Sequence, residues 1–379
     1  MAYNLSDIIG KFRLDGDIIH AEPYGHGRIN DTYAAYFKFS FARPVRYILQ
    51  RINQDVFPDP AALMRNIRSV TDHITEKIEY PGGDSARETL HIVPTREGDD
   101  FYLDPEGNYW RVYHFIDDAA TYQHGTGELL RQSGAAFGHF QNLLADFPVH
   151  TLNETIPDFH NTKQQFEALE EAVRMDVLGR VSQAEPEIEF AFSRGKDAPV
   201  LTGLIETREL PLRAIHCDAQ LNNVMIDNTS GKALGVIDLD TVMPGLSLYD
   251  FGDSIRLGAV AAGDNGSGPS GVSLNLDLFR AFTAGFLFQM RGTLTQTELE
   301  LLPFGVRMMV FESGIRSLAD YLNGDTRFKT KRRGQTLDIC RTRFRLVEDL
   351  ESKMDRMAEI VAKENISCTC GGRVAESLK

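Results

Sequence analysis

Residues 213–240 read R-A-I-H-C-D-A-Q-L-N-N-V-M-I-D-N-T-S-G-K-A-L-G-V-I-D-L-D. Within them His216, Asp218 and Asn223 form the pattern H-x-D-x-x-x-x-N, with Asp238 and Asp240 beyond a glycine turn. Moving a phosphoryl group onto a hydroxyl asks little of a protein. One carboxylate must orient the hydroxyl and take its proton, while an amide oxygen and a second carboxylate hold Mg²⁺ against the nucleotide phosphates. Asp218 fits the first role, and Asn223 and Asp238 fit the second. Asn223 follows Asp218 by five residues and Asp238 follows it by twenty. The apolar runs Val224–Ile226 and Leu234–Ile237 form a hairpin that returns Asp238 toward the asparagine. A polar loop capping a hairpin would also give a short match, but the ordered combination favours chemistry.

Other groups near this stretch carry competing readings. Strand alternation places Asp240 on the face of Asp238. Two carboxylates on one face call for a second Mg²⁺ or acceptor hydroxyls, ahead of a salt bridge to an arginine. His216 reads as an imidazole bracing the loop rather than a metal ligand. Cys217 reads as a small packing residue, since no histidine–asparagine arrangement is built around it.

The elements that must position these groups follow from periodicity. Strands are expected over Ile18–Tyr24, Thr32–Phe39, Arg46–Ile52, Thr89–Thr95, Phe101–Leu103 and Tyr109–Ile116. A long helix is expected over Pro58–Tyr80, with Leu63, Ile67, Val70 and Ile74 as its apolar stripe. From Gly127 the pattern is helical: 129–147, 166–181, 277–291, 296–323 and 339–363, with a polar interruption at 183–198. The Gly/Ser-rich stretch 261–273 reads as a loop. These boundaries divide the chain into a β-rich lobe (1–116), a helical lobe (117–364) and a flexible tail (365–379).

The 379 residues carry 40 basic and 54 acidic side chains, a net charge of −14. That balance argues against a nucleic-acid or anionic-membrane partner. The basic run Lys329–Arg333 reads as a solvated loop. No apolar stretch approaches a membrane span, and the first residues lack a signal-peptide pattern. Cys217, Cys340, Cys368 and Cys370 form no C-x-x-C pair, which fits a reduced, cytoplasmic protein.

The chain resembles the aminoglycoside-phosphotransferase-like kinases, a branch of the protein-kinase fold, and within them most closely the bacterial N-acetylhexosamine 1-kinases. The resemblance rests on Y-I-L-Q-R-I-N, W-R-V-Y-H-F-I, L-N-N-V-M-I-D, I-D-L-D-T-V-M-P-G, D-F-G-D-S-I-R and L-A-D-Y-L, spread between about Tyr24 and about Leu346. It implies an α+β, protein-kinase-like bilobal fold with a β-rich N-lobe and a helical C-lobe. It also implies ATP and Mg²⁺ as cofactors and a small sugar as acceptor, phosphorylated on its anomeric (C1) hydroxyl. Asp218 would be the base, and Asn223, Asp238 and Asp240 the metal ligands. Gly25 and Gly27 resemble a phosphate-covering loop, where glycines let backbone N–H groups approach phosphate. The backbone near His114–Asp118, with Phe115 and Ile116, would read adenine. Asn30, Asp240 and Arg316 would hold the sugar.

The chain departs from the pattern in places. Gln50 stands where protein kinases carry a lysine, and Arg28 reads equally as the supplier of the missing charge or as a solvent-facing turn arginine. G-H-G-R-I-N replaces the G-D-G-H-I-N of the sugar kinases, and Leu257 replaces a phenylalanine, so acceptor preference is open to change. Asp250-Phe251-Gly252 spells a metal motif but lies 32 residues after Asp218. It reads instead as a helix start capped by Asp250 or Asp253. Glu312, Arg316 and Asp320 are spaced by four, so Arg316 reads equally as a rung of a surface ladder or as an acceptor contact. Two alternatives stand beside the sugar kinase: a related kinase acting on an aminoglycoside, amino alcohol or other monosaccharide, and a nucleotide-binding pseudokinase.

Overall fold

The computed structural model describes residues 3–25, 27, 29–38, 44–261, 271–326, 332 and 334–376, with side chains to residue 366. Arg28, most of 261–273 and most of the Lys329–Arg333 run lie outside them. In chain order the elements are α1 (Leu5–Ile9), β1 (Asp17–Pro23), β2 (Asp31–Lys38), β3 (Val45–Arg51), α2 (Pro60–Glu79), α3 (Ser85–Glu88), β4 (Ile92–Val93), β5 (Tyr102–Leu103), β6 (Tyr109–His114) and β7 (Ala119–Ala120). Then come α4 (Gly127–Leu143), α5 (Thr162–Met175), α6 (Glu185–Ser193), α7 (Val200–Glu206), β8 (Arg213–Ile215), β9 (Val224–Asp227), β10 (Ala233–Val236), α8 (Ser247–Gly258), α9 (Leu276–Gln289), α10 (Gln296–Leu322) and α11 (Gln335–Glu376). Helix α6 occupies ground where the sequence suggested irregular chain, and α7 follows just beyond it. The polar composition hid Ile188 and Ala191, the residues by which α6 is buried. The last helix continues to Glu376, past the end expected at 363.

The chain forms two compact units. The first holds Met1–Ala120, Asp146–Pro157 and Met225–Met243. Its first stretch ends at Ala120, and the two later stretches join it. Its main sheet is antiparallel, ordered β1-β2-β3-β6-β4 with β5 on β6. Alternation explains its two faces. Tyr47, Leu49, Trp110 and Val112 turn to one side and pack with Ile8, Ile9 and Phe12. Gln50 and Arg111, direct partners in the β3–β6 register, turn to the other. Helix α2 begins at an Asp59 cap, whose Oδ1 accepts from Ala62 N at 2.9 Å, with Pro60 in its first turn. Its stripe of Leu63, Ile67, Val70 and Ile74 is buried as the periodicity predicts. Asn66 interrupts that stripe and ties in the distant segments. Its Nδ2 donates to Asn153 O (2.7 Å) and Val242 O (2.9 Å), and its Oδ1 accepts from Asn153 N (2.9 Å).

The second unit holds Thr121–Ala145, Asp158–Val224 and Pro244–Lys379. Glycines set its helix crossings. A Cβ on Gly134 of α4 would lie 2.1 Å from Phe282 O, and one on Gly285 of α9 would lie 2.0 Å from Arg131 O. The two backbones therefore touch. Gly285→Ala is expected to destabilise by roughly 1–3 kcal/mol or more, because backbone cannot yield as a side chain can. Unchanged melting would show that the helices separate freely. Phe251 of α8 is fully buried against Phe279, Phe282 and Phe286 at 5.9, 5.5 and 5.3 Å. No helix among the described residues is long and apolar enough to cross a membrane.

Candidate active site

The loop after β8 is held by a carboxylate inside α8. Asp250 Oδ2 accepts from His216 N (2.9 Å) and Gln141 Nε2 (2.8 Å), and Oδ1 accepts from Cys217 N (2.8 Å). Cys217 is buried with φ at 62°, a left-handed conformation that is costly for a residue with a Cβ. Two amides anchored to one buried carboxylate hold that bend. The expected capping role for Asp250 or Asp253 is therefore corrected: α8 has no side-chain cap. Asp250 lies in its first turn and reaches the loop, and Asp253 pairs with Arg256 at 2.6 Å. His216 packs edge-on against Phe137 and Phe140, in line with a bracing role.

The bend delivers Asp218, half-buried, into a net of amides. Gln220 Nε2 donates to its Oδ1 and Oδ2 at 2.9 and 2.8 Å. Asn223 Nδ2 donates to Asp218 Oδ2 (3.1 Å) and to the Asp218 backbone oxygen (2.9 Å). Both donations use the nitrogen, so Asn223 Oδ1 turns away from Asp218. It is a hard oxygen donor of the kind Mg²⁺ or Ca²⁺ takes. Burial pushes the Asp218 carboxyl above its usual range, and the negative charge of Asp253 adds to this. His216 and the amides of Gln220 and Asn223 pull it back without cancelling the rise.

Asp218 lies in the wall of a cavity shared with Phe159, His160, Asp253, Arg256, Glu312 and Arg316. Glu312 is buried, accepting from Thr162 Oγ1 (2.7 Å) and lying 3.1 Å from His160 Nδ1. Burial alone would lower the His160 pKa, but the hydrogen bond and charge of Glu312 raise it overall. Arg316 lies 3.8 Å from Glu312 and stacks over Phe159 with its guanidinium 5.2 Å from the ring centre. Glu312 is 1 % and Asp320 5 % exposed, so the surface-ladder reading of this spacing is excluded.

In the first unit, Thr32, Gln50 and Arg111 form a row across β2, β3 and β6. Gln50 Nε2 donates to Thr32 Oγ1 (3.1 Å), and Gln50 Oε1 accepts from Arg111 Nε (3.0 Å) and Nη2 (2.8 Å). Arg111 Nη1 reaches Asp240 Oδ1 at 2.5 Å. Asp240 Oδ2 accepts from Asn30 Nδ2 at 2.6 Å, and Asn30 Oδ1 accepts from Asn53 N at 3.0 Å. Strand β10 ends at Val236, Asp238 has φ at 63°, and Leu239–Thr241 is a 3-10 turn. The alternation argument that put Asp238 and Asp240 on one strand face thus fails, because the strand stops before either. The cation offsetting Asp240 is Arg111, as the lower-ranked salt-bridge reading had it. Asp238 also acts on Arg111 through its charge. Gly25 takes φ at 77°, and among the described residues no atom lies near where a Cβ on Gly25 or Gly27 would stand. Phe115 donates its N–H to Arg46 O (3.3 Å) and lies under the Arg46 guanidinium, while Ile116 is buried.

Sequence reasoning missed Arg111, Gln220, Asp253, Arg256, His160 and Glu312. Arg111 left a signal: a charged residue between Trp110 and Val112 in a strand demands a partner on the opposite face. Among the cavity residues only Glu312 left one, its spacing of four from Arg316; His160, Asp253 and Arg256 come from α8 and the segment before α5 and left none.

A family model described as the phosphotransferase enzyme family matches residues 20–286. Among solved structures, the chain is similar to an aminoglycoside phosphotransferase from Alicyclobacillus acidocaldarius (TM-score 0.59, 12% identity, 96% of this chain and 98% of that one). It is similar to an amicoumacin kinase in complex with AMP-PNP and Ca²⁺ (0.54, 13%, 88% and 88%). It is also similar to a choline/ethanolamine kinase family protein from Mesorhizobium loti (0.52, 15%, 90% and 92%). At these identities the likeness shows the fold, which is the protein-kinase-like one, with a β-sheet N-terminal region and a helical C-terminal region.

Proposed function

Since the chain belongs to the phosphotransferase enzyme family, whose model spans residues 20–286, we propose that it transfers a phosphoryl group from ATP to the anomeric hydroxyl of an N-acetylhexosamine. The observation that carries this reading is the cavity around Asp218. Its carboxylates are Asp218, Asp253 and Glu312, and its cations are Arg256 and Arg316, with His160 drawn toward its charged form. The charges nearly balance. A polycationic aminoglycoside would be served by uncompensated carboxylates, and a quaternary amine by open aromatic faces. The Phe159 face is covered by Arg316 instead. Buried, directional, charge-balanced groups suit a neutral acceptor rich in hydroxyls, such as a sugar.

Within this reading Asp218 is the base. An anomeric hydroxyl is more acidic than an ordinary alcohol, so a carboxylate with a raised pKa suffices to take its proton. Gln220 and Asn223 hold that carboxylate in one orientation. A divalent cation would neutralise the nucleotide phosphates; Asn223 offers Oδ1 to it, and Asp238 keeps the ligand role that its sequence spacing suggests. Arg316 and Glu312 would orient the sugar, an Arg fork suiting paired hydroxyls or an acetamido carbonyl. Asn30 and Asp240 remain proposed sugar contacts on sequence grounds, although each already holds the other.

An ATP-consumption screen over free sugars, aminoglycosides and amino alcohols tests the reading. N-acetylglucosamine or N-acetylgalactosamine should be turned over with glucose markedly poorer, and product NMR should place the phosphate on C1. Arg316→Ala should cost roughly ten- to a hundredfold in kcat/KM for the N-acetyl sugar, from lost polar contacts, with KM for ATP little changed. Phosphate on C6, or rapid aminoglycoside turnover beside inert sugars, would sink the sugar reading and leave the family standing.

A further inference from the structure

We propose that Arg111 is the positioning residue that makes Gln50 work as a nucleotide-phosphate donor, so that a strand-to-strand Gln–Arg pair does what a β3 lysine does in protein kinases. The inference rests on the ATP-dependent reading above and concerns the first unit alone. An amide side chain has two faces of opposite character, an acceptor oxygen and a donor nitrogen. Arg111 decides which way Gln50 turns. Its Nε and Nη2 both donate to Gln50 Oε1, so the oxygen must face the guanidinium. The nitrogen must then face away. One of its hydrogens goes to Thr32 Oγ1, and the other remains for an anion. Burying a guanidinium is costly unless it is paired. Arg111 is 1 % exposed, and Asp240 compensates it through Nη1, with Asn30 and Asn53 securing Asp240 in turn. The aromatic ring of Tyr113 lies 5.1 Å from the guanidinium, and its hydroxyl has no hydrogen-bond partner among the described residues. The Arg111–Asp240 pair is thus a fixed, buried base, and Gln50 beside it is half-buried.

This arrangement makes a counterintuitive demand. Gln50→Lys, which installs the residue protein kinases carry, removes the acceptor of two Arg111 donors and sets a second cation against a buried one. It should weaken AMP-PNP binding by roughly tenfold or more, the scale of a lost charge-assisted hydrogen bond. Gln50→Met, which removes the amide without adding charge, should weaken AMP-PNP binding several-fold and raise KM for ATP, with KM for the acceptor unchanged. Gln50→Lys/Arg111→Met relieves the repulsion and should recover binding at least partly relative to Gln50→Lys. Calorimetry with AMP-PNP on each full-length protein reads these effects, with melting curves confirming folded samples. AMP-PNP binding by Gln50→Lys or Gln50→Met equal to wild type would overturn the proposal, as would a folded double variant no better than Gln50→Lys. Absence of AMP-PNP binding by the wild-type protein would instead remove the ATP-dependent reading, and this inference with it.

Discussion

Asp218→Asn is expected to give a folded protein that binds nucleotide normally and turns over about 10²–10⁴-fold more slowly, the scale for loss of a general base. The amide keeps the shape that Gln220 and Asn223 grip but cannot take a proton. The pH profile adds a second readout. Asp218 must be ionised to act, and its pKa is raised by burial and then by the charge of Asp253. Activity should therefore fall on the acid side at a pH above the usual aspartate range. Asp253→Asn removes the like charge and should move that limb to lower pH. Near wild-type turnover by Asp218→Asn would take the residue out of the role, and an acid limb unmoved by Asp253→Asn would show that Asp253 does not tune it.

Asp250→Ala should be the most damaging single change in the second unit. It deprives the buried amides of His216 and Cys217, and the Gln141 side chain, of their acceptor. A loss of about 3–9 kcal/mol is expected, since each of these three unsatisfied buried donors costs about 1–3 kcal/mol. Any folded fraction should also be slow, because the Cys217 amide loses the buried acceptor that holds its left-handed bend ahead of Asp218, leaving the His160 contact to its carbonyl at 3.4 Å. The Mg²⁺ dependence of ATP binding should survive in that fraction, whereas Asp238→Ala should weaken Mg²⁺-dependent binding more than metal-free binding. Chemical denaturation and metal-titrated calorimetry separate the two. The reverse pattern would make the D-F-G letters the metal motif after all.

The sequence by itself determined whatever depends on local rules. The α2 stripe, the strand pattern of the first unit and the order Asp218, Asn223, Asp238 are all short-range facts, readable from periodicity and spacing. A resemblance resting on six motifs reached the family. The tertiary structure decided what requires distant residues to meet. Gln50 could be seen to lack a lysine's charge, but only the β3–β6 register sets Arg111 beside it, 61 residues away. Asp250 could be read as a cap because capping is the local use of such a residue; its true partners lie 33 and 34 residues upstream. Asp238 and Asp240 could be put on one face only while the strand was assumed to continue, and the φ of 63° at Asp238 breaks that alternation. The cavity beside Asp218 has no single signature of its own, because its walls come from segments as far apart as Phe159 and Arg316. Charge balance inside a cavity is a property of three-dimensional proximity, and no one-dimensional spacing encodes it.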